Sequence, residues 1–213
     1  MMAEPGLKAL AGKDVRERLI IAAVRLFATK GYAATSVREI VEAAGVTKPV
    51  LYYYFRNKEG VLHAIMQEAV AVHRAVLEKV RRGNGTASER ILQLAERVYT
   101  LVIENPLAVR TLDAVYYGPR EGAPEIDFKP LHGEFDDFVR DLVEEGVADG
   151  EFPPGDIDDM VLAILGGFIV AKTSISERCL GGEPLRPEDL RRIMQIIIDG
   201  IRTRPVGHTE EGR

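Results

Sequence analysis

TSVREIVEAAGVTKPVLYYYFRNK, residues 35–58, is the stretch on which the fold turns. Ser36 and Glu39 stand three apart, the spacing of a capping box, and predict the start of a helix that buries Ile40, Val41 and Ala44. Gly45 sits where a tight turn requires positive φ, and Val46 plugs that turn. Thr47 suits the N-cap of a second helix, and Pro49 falls in its first turn, where a missing N–H costs little. Leu51 and Phe55 then point inward. Two short helices joined by a glycine turn make a helix-turn-helix, here about residues 36–55.

In such a unit the N-terminal residues of the second helix enter the major groove of DNA. Here they are Thr47, Lys48, Pro49 and Val50. Lys48 can donate to guanine O6 and N7, and Pro49 and Val50 can meet a thymine methyl. Tyr52, Tyr53 and Tyr54 are consecutive on one helix, about 100° apart, so all three cannot be core. An outward phenol donates well to phosphate. Thr35, Ser36 and the helix N-terminus they open form a second phosphate site, with Lys58 near the same plane.

Outward from this unit the rest of the chain reads as helices. Val15, Leu19, Ala22, Ala23, Leu26 and Phe27 recur at helical spacing before Gly31. Further helices are expected over 59–82, 88–104, from Pro106 to about 118, and over 131–148, 156–178 and 187–203. The breaks fall at Gly83-Asn84-Gly85, Gly118-Pro119, Asp149-Gly150, Pro153-Pro154 and Gly181-Gly182. Almost nothing alternates with period two. The expected class is all-α, with about nine helices.

The chain has 213 residues and a net charge of -5, which taken whole argues against nucleic acid. The charge is unevenly placed. Residues 1–60 hold ten Lys/Arg against six Asp/Glu, a balance of +4, and residues 61–213 carry -9. A small basic head on an acidic body is itself a pointer to function, because the body would repel DNA everywhere except at the head. A single cysteine, Cys179, excludes an internal disulfide framework and a cysteine-rich zinc site, and fits a reducing cytosol. The apolar run Met160–Ala171 has twelve residues, where a membrane span needs roughly 20. No signal peptide is read, and no membrane role is expected. His132 and Asp136 stand four apart, but two ligands are too few for a metal site. No metal and no cofactor are expected. There is no HExxH, no phosphate-cradling glycine loop and no paired catalytic cysteine and histidine, so the chain does not read as an enzyme.

From about Arg16 to Leu62, through the runs LFATKGYAATSVREIVEAAGV and LYYYFRNKEGVL, the sequence resembles the DNA-binding domain of the TetR family of bacterial repressors. The resemblance covers nearly fifty residues without a gap. It departs at Pro49, where many members have Gly or Ala, and at Tyr54, where many have His. It implies DNA contacts at Thr35, Thr47, Lys48, Pro49, Tyr52, Tyr53 and Lys58. It also implies a cytoplasmic homodimer on double-stranded DNA with a palindromic operator, released by a small lipophilic effector. The corresponding parts are a tail at 1–12, the DNA-binding domain at 13–58, a ligand-binding and dimerisation domain at 59–203, and a tail at 204–213. Helix 59–82 would be the lever between them.

In such a body, Tyr99, Tyr116, Tyr117, Phe135, Phe138 and Phe168 are candidates to line a pocket. The last two helices would pair with their copies through Ile164, Phe168, Ile193, Ile197 and Ile201, with Gly166 and Gly167 permitting close approach. Other readings remain: an activator of the same fold, a non-specific architectural DNA binder, which the acidic body opposes, or an all-α enzyme with a vestigial head.

Overall fold

The computed structural model describes residues 14–118, 124–179 and 186–202, with side chains at 174–179 and 187 outside that description. Both expected tails, the Gly181-Gly182 break and the Cys179 thiol therefore lie outside the described residues. Nine helices and no strand occupy the described residues: α1 Val15–Lys30, α2 Val37–Ala44, α3 Lys48–Phe55, α4 Lys58–Arg81, α5 Ala87–Glu104, α6 Pro106–Tyr117, α7 Lys129–Ala148, α8 Ile157–Cys179 and α9 Pro187–Arg202. The chain is all-α, as its periodicity demands.

Two compact units divide it. One runs to Ala69 and takes in Leu107–Asp127; the other is Val70–Pro106 with Phe128 onward. The division falls inside α4, beyond the expected 58/59 boundary, because the first turns of α4 bury Val61, Leu62, Ile65 and Met66 and no break interrupts the helix. α6 also belongs to the first unit, where Thr111 donates to the Val24 carbonyl at 3.3 Å.

In the first unit, Leu19, Ala23 and Phe27 of α1 are buried with Ile40, Val41 and Ala44 of α2 and with Leu51 and Phe55 of α3. The capping box forms: the Ser36 hydroxyl accepts from the Glu39 N–H at 3.3 Å and the Ser36 N–H donates to the Glu39 carboxylate at 2.8 Å. Gly45 ends α2 with φ 66° and ψ 40°. Arg18 of α1 donates to the carbonyls of Ala44 and Gly45 (2.5 and 3.1 Å), which the end of α2 leaves without helical partners. That bond fixes the angle at which the chain enters α3.

The junction of α3 with α4 is tighter still. Asn57 donates its N–H to the Phe55 carbonyl at 2.8 Å, while its own side chain accepts from the Gly60 N–H at 2.7 Å and so caps α4. A Cβ at Gly60 would lie 1.9 Å from the Phe55 carbonyl oxygen, so only glycine fits there.

The second unit is a helical bundle in which α5, α7, α8 and α9 pack on one another. Its core is Ile91, Leu94 and Ala95 of α5, Phe138, Val139 and Leu142 of α7, Ile164 and Phe168 of α8, and Leu190, Met194 and Ile198 of α9. Thr86 caps α5 through a second capping box with Glu89, so the helix starts one residue before the expected Ser88. α7 begins at Lys129, with Pro130 in its first turn, shortening the expected loop.

Candidate nucleic-acid interface

α3 presents its outer surface as the sequence requires. Thr47, Lys48 and Pro49 are exposed and Val50 is half-buried. Thr47 occupies the N-cap position in extended conformation, but its hydroxyl makes no capping bond. That leaves the hydroxyl available beside Lys48. All three tyrosines lie on the surface. Tyr53 is 82% exposed, Tyr52 48% and Tyr54 40%, the last with its ring 5.1 Å from Tyr53 and 6.1 Å from Phe55. None of the phenols is core.

Two expected contacts face the other way. Thr35 is 2% exposed, and its hydroxyl donates to the Gly31 carbonyl at 2.7 Å. The Lys58 ammonium donates to the carbonyls of Tyr32 and Thr35 at 2.8 and 2.9 Å and lies 4.1 Å from the centre of the Tyr32 ring. Burial pushes its pKa down, and burial first, then Glu59, pushes the Tyr32 phenol up. The reason is local. The loop from α1 to α2 turns its carbonyls inward, and buried acceptors must find donors. The Thr35 hydroxyl is thus spent inside the loop and does not offer itself to an outside phosphate as expected, while Lys58 clips the loop to the start of α4 with two of its three N–H donors. Ser36 is exposed, but its hydroxyl and N–H are held by Glu39. The Lys30 ammonium, then Ser36, bonds that carboxylate and holds its pKa at about 2. The first-turn N–H groups of α2 left for an outside acceptor are those of Val37 and Arg38.

In the second unit the candidate pocket residues separate. Tyr99, Phe138 and Phe168 are buried, and Phe135 is half-buried with its ring edge-on to Phe168 at 5.1 Å. Tyr116 and Tyr117 are exposed, stack edge-to-face on each other at 4.6 Å, and belong to the first unit. The structure adds a residue the sequence reading passed over. His73 of α4 lies 5.3 Å from Phe135, with its Nε2 buried and without a hydrogen-bond partner. Burial first, then the neighbouring His132, brings its pKa down to about 4. A lone histidine among apolar neighbours carries no sequence signal beyond its spacing on α4. Beside it a cleft of about 570 Å³ opens on Arg74, Leu77, Arg81, Glu134, Asp137 and Phe138. Arg74 grips Glu134 there with two nitrogens, beside the apolar Leu77 and Phe138.

The expected dimer residues also need correcting. Ile164 and Phe168 are buried within the unit and cannot reach a partner. Val161, Ile164, Phe168 and Ala171 face inward, so the outward face of α8 is Leu162, Ile169 and Val170, exposed by 69, 50 and 67%. α9 adds Ile196, 66% exposed, while Ile193, Ile197 and Ile201 are half-buried. Gly167 serves the approach of α9 within the chain, since a Cβ there would lie 2.4 Å from Ile197; Gly166 faces open space. No group of three metal-ligating side chains occurs among the described residues, and no helix there is long and apolar enough to cross a membrane.

Residues 19–65 match the family model of bacterial regulatory proteins of the tetR family. The transcriptional repressor KstR2 of Mycolicibacterium smegmatis is 28% identical over 200 residues, covering 87% of this chain and 90% of that protein. The fatty acid degradation regulator FadR of Bacillus halodurans superposes with a TM-score of 0.74 at 19% identity, covering 90% of this chain and 98% of the other. The FadR of Bacillus subtilis, solved in complex with stearoyl-CoA, gives 0.68 at 20% identity, covering 88% and 97%. These last two share the fold.

Proposed function

We propose that this chain, whose residues 19–65 match the tetR family of bacterial regulatory proteins, is a transcriptional repressor of that family that binds a near-palindromic operator as a homodimer and is released by a small lipophilic effector. Residues 13–58 are the DNA-binding part, and 59–203 the ligand-binding and dimerisation part. The observation that carries the reading is the outer surface of α3: Thr47, Lys48, Pro49, Tyr52 and Tyr53 are exposed together on a helix anchored from behind by Leu51 and Phe55. Lys48 and Thr47 reach base edges in the major groove, and the tyrosines donate to phosphate. Two heads about 34–36 Å apart enter successive major grooves, which is why the protein works as a dimer. The outward apolar face of α8 and α9 supplies the contact between copies.

The effector is an acyl-bearing lipophile, with the half-buried Phe135 and the Phe138 that walls the cleft as its candidate contacts. Stearoyl-CoA, the ligand in the related solved structure, is the first probe. An effector that favours another head spacing lowers operator affinity by population shift. The protein is an effector-responsive regulator and not an enzyme.

The test is selection of duplexes from a random pool, followed by binding of the selected sequence to variants. Lys48→Ala should relax preference at one or two base pairs, and Tyr53→Phe should weaken all sequences alike. If both bind and discriminate like the wild type, α3 is not the reading element.

A further inference from the structure

The head's positive charge is largely committed inside the protein. Of the ten Lys/Arg in residues 1–60, Lys8 and Lys13 lie outside the described residues. Arg16 pairs with Glu68 at 2.8 Å, Arg38 with Glu42 at 2.7 Å, and Lys30 with Glu39. Arg18 and Lys58 are bonded to backbone carbonyls, and Arg25 is also engaged. Among the described residues, Lys48 and Arg56 remain without a partner. One stands at each end of α3.

Arg56 is also the one non-glycine residue with positive φ among those described, at φ 65° and ψ -42°. The Asn57 N–H bonded to the Phe55 carbonyl closes a three-residue turn around it, close to the γ-turn that L-residues rarely adopt. Glycine takes such a conformation without penalty, and asparagine takes positive φ more readily than arginine. Such strain persists only where the surrounding structure imposes it, here the Asn57 bonds to Phe55 and Gly60, and it gathers at functional sites. The Arg56 side chain takes no part in that, because its guanidinium is exposed and has no hydrogen-bond or ion-pair partner among the described residues.

We propose that Arg56 is a DNA-backbone contact, held by the strained turn at the C-terminal edge of α3 so that α3 is anchored at both ends. The proposal rests on the reading of α3 as the groove-binding helix. Eight helical residues span about 12 Å, about the width of the major groove. With Lys48 and Thr47 at the base edges, the opposite end of α3 lies toward the flanking strand, where a guanidinium can bond phosphate oxygens.

The experiment uses full-length protein and a duplex of about 30 base pairs selected from a random pool by the wild type, with binding followed by fluorescence anisotropy against KCl. Arg56→Gly suits the turn and lacks the charge, Arg56→Asn lacks the charge but keeps a side chain in the strained turn, and Arg56→Lys keeps both the charge and the strain. Each lost phosphate contact makes the slope of log K against log salt shallower by about 0.9 per head. The affinity ratio between 50 and 200 mM salt should therefore shrink roughly threefold per head in Arg56→Gly and Arg56→Asn. Arg56→Lys should keep the wild-type slope. Arg56→Gly should at the same time melt at a higher temperature than the wild type, so that weaker binding cannot be put down to unfolding. The proposal falls if the two uncharged variants keep the wild-type slope, or if Arg56→Lys loses it with them. A wild type that selects no sequence and binds no duplex would overturn the reading of α3 and the proposal together.

Discussion

Val170→Glu tests the pairing of two copies at its most exposed point. Val170 is 67% exposed on the outward face of α8, beside Ile169 and four residues beyond Gly166, which opens on empty space. Burying a valine fully is worth about 1.5–2 kcal/mol, so covering what Val170 leaves exposed is worth about 1 kcal/mol. In a two-fold dimer each position occurs twice, which makes it about 2 kcal/mol per dimer. Glutamate removes this and places two carboxylates in an apolar contact, where they must stay charged and desolvated or take up protons. Either adds at least about 2 kcal/mol. The sum of about 4 kcal/mol weakens dimerisation roughly a thousandfold. Sedimentation equilibrium across micromolar concentrations reads this directly, with circular dichroism to verify that helix content is kept. Operator affinity should collapse with the dimer, since one head alone binds a half-site. A Val170→Glu dimer as tight as the wild type would refute the assignment of this face.

Gly60→Ala should destabilise the head by about 3 kcal/mol or more, because its Cβ would lie 1.9 Å from the Phe55 carbonyl oxygen and the backbone must shift; thermal melting checks this. Lys58→Met should lower stability by about 2 kcal/mol, because two inward carbonyls lose their donor, and denaturant titration without DNA will detect it. His73 yields a pH effect whose sign is fixed. Its folded pKa, about 4, lies below the unfolded value near 6.5, so the unfolded chain binds the extra proton between them. Its contribution is present above pH 6.5 and is lost as pH falls toward 4, by an amount on the order of 3 kcal/mol. His73→Phe should flatten the decline of stability over that window, and an unchanged pH profile would count against the buried, neutral histidine.

What could be read from the sequence was whatever is settled within a few residues. Ser36 with Glu39, Gly45, and the Leu51/Phe55 pair are local signals, and each appears in the structure as its spacing predicts. Thr86 and Glu89 carry the same capping signal, which places the start of α5 more sharply than its apolar stripe does. The inward turn of Lys58 and Thr35 was not legible, because it depends on carbonyls of Tyr32 and Gly31 that only the folded loop turns inward. The bond from Arg18 to the end of α2 is hidden for the same reason, 26 residues away in sequence. The phase of α8 failed differently. Met160–Ala171 is apolar all round, and a helix without a polar face does not say which side is inside. Ile164 and Phe168 are large and apolar like Leu162 and Ile169, and only packing against α5, α7 and α9 separates them.

The charge split takes on a sharper meaning once the partners are known. The +4 of residues 1–60 suggests a diffuse basic surface, but most of its cations hold the head together. Arg18 closes α2, Lys58 closes the α1–α2 loop, and Lys30 braces the capping box through Glu39. Arg16, Lys30 and Arg38 sit in ion pairs that are close to neutral a few ångströms away, whereas Arg18 and Lys58 are bonded to neutral carbonyls and keep their charge while losing their freedom to move. The uncommitted charges at Lys48 and Arg56 then stand out at the two ends of one helix, against a body of net charge -9. The two described head cations left free to turn toward DNA therefore lie on the line along which the proposal sets α3 in the groove. That arrangement orients the head on approach more than it raises affinity for DNA in general, which suits a regulator that must leave its site when an effector arrives.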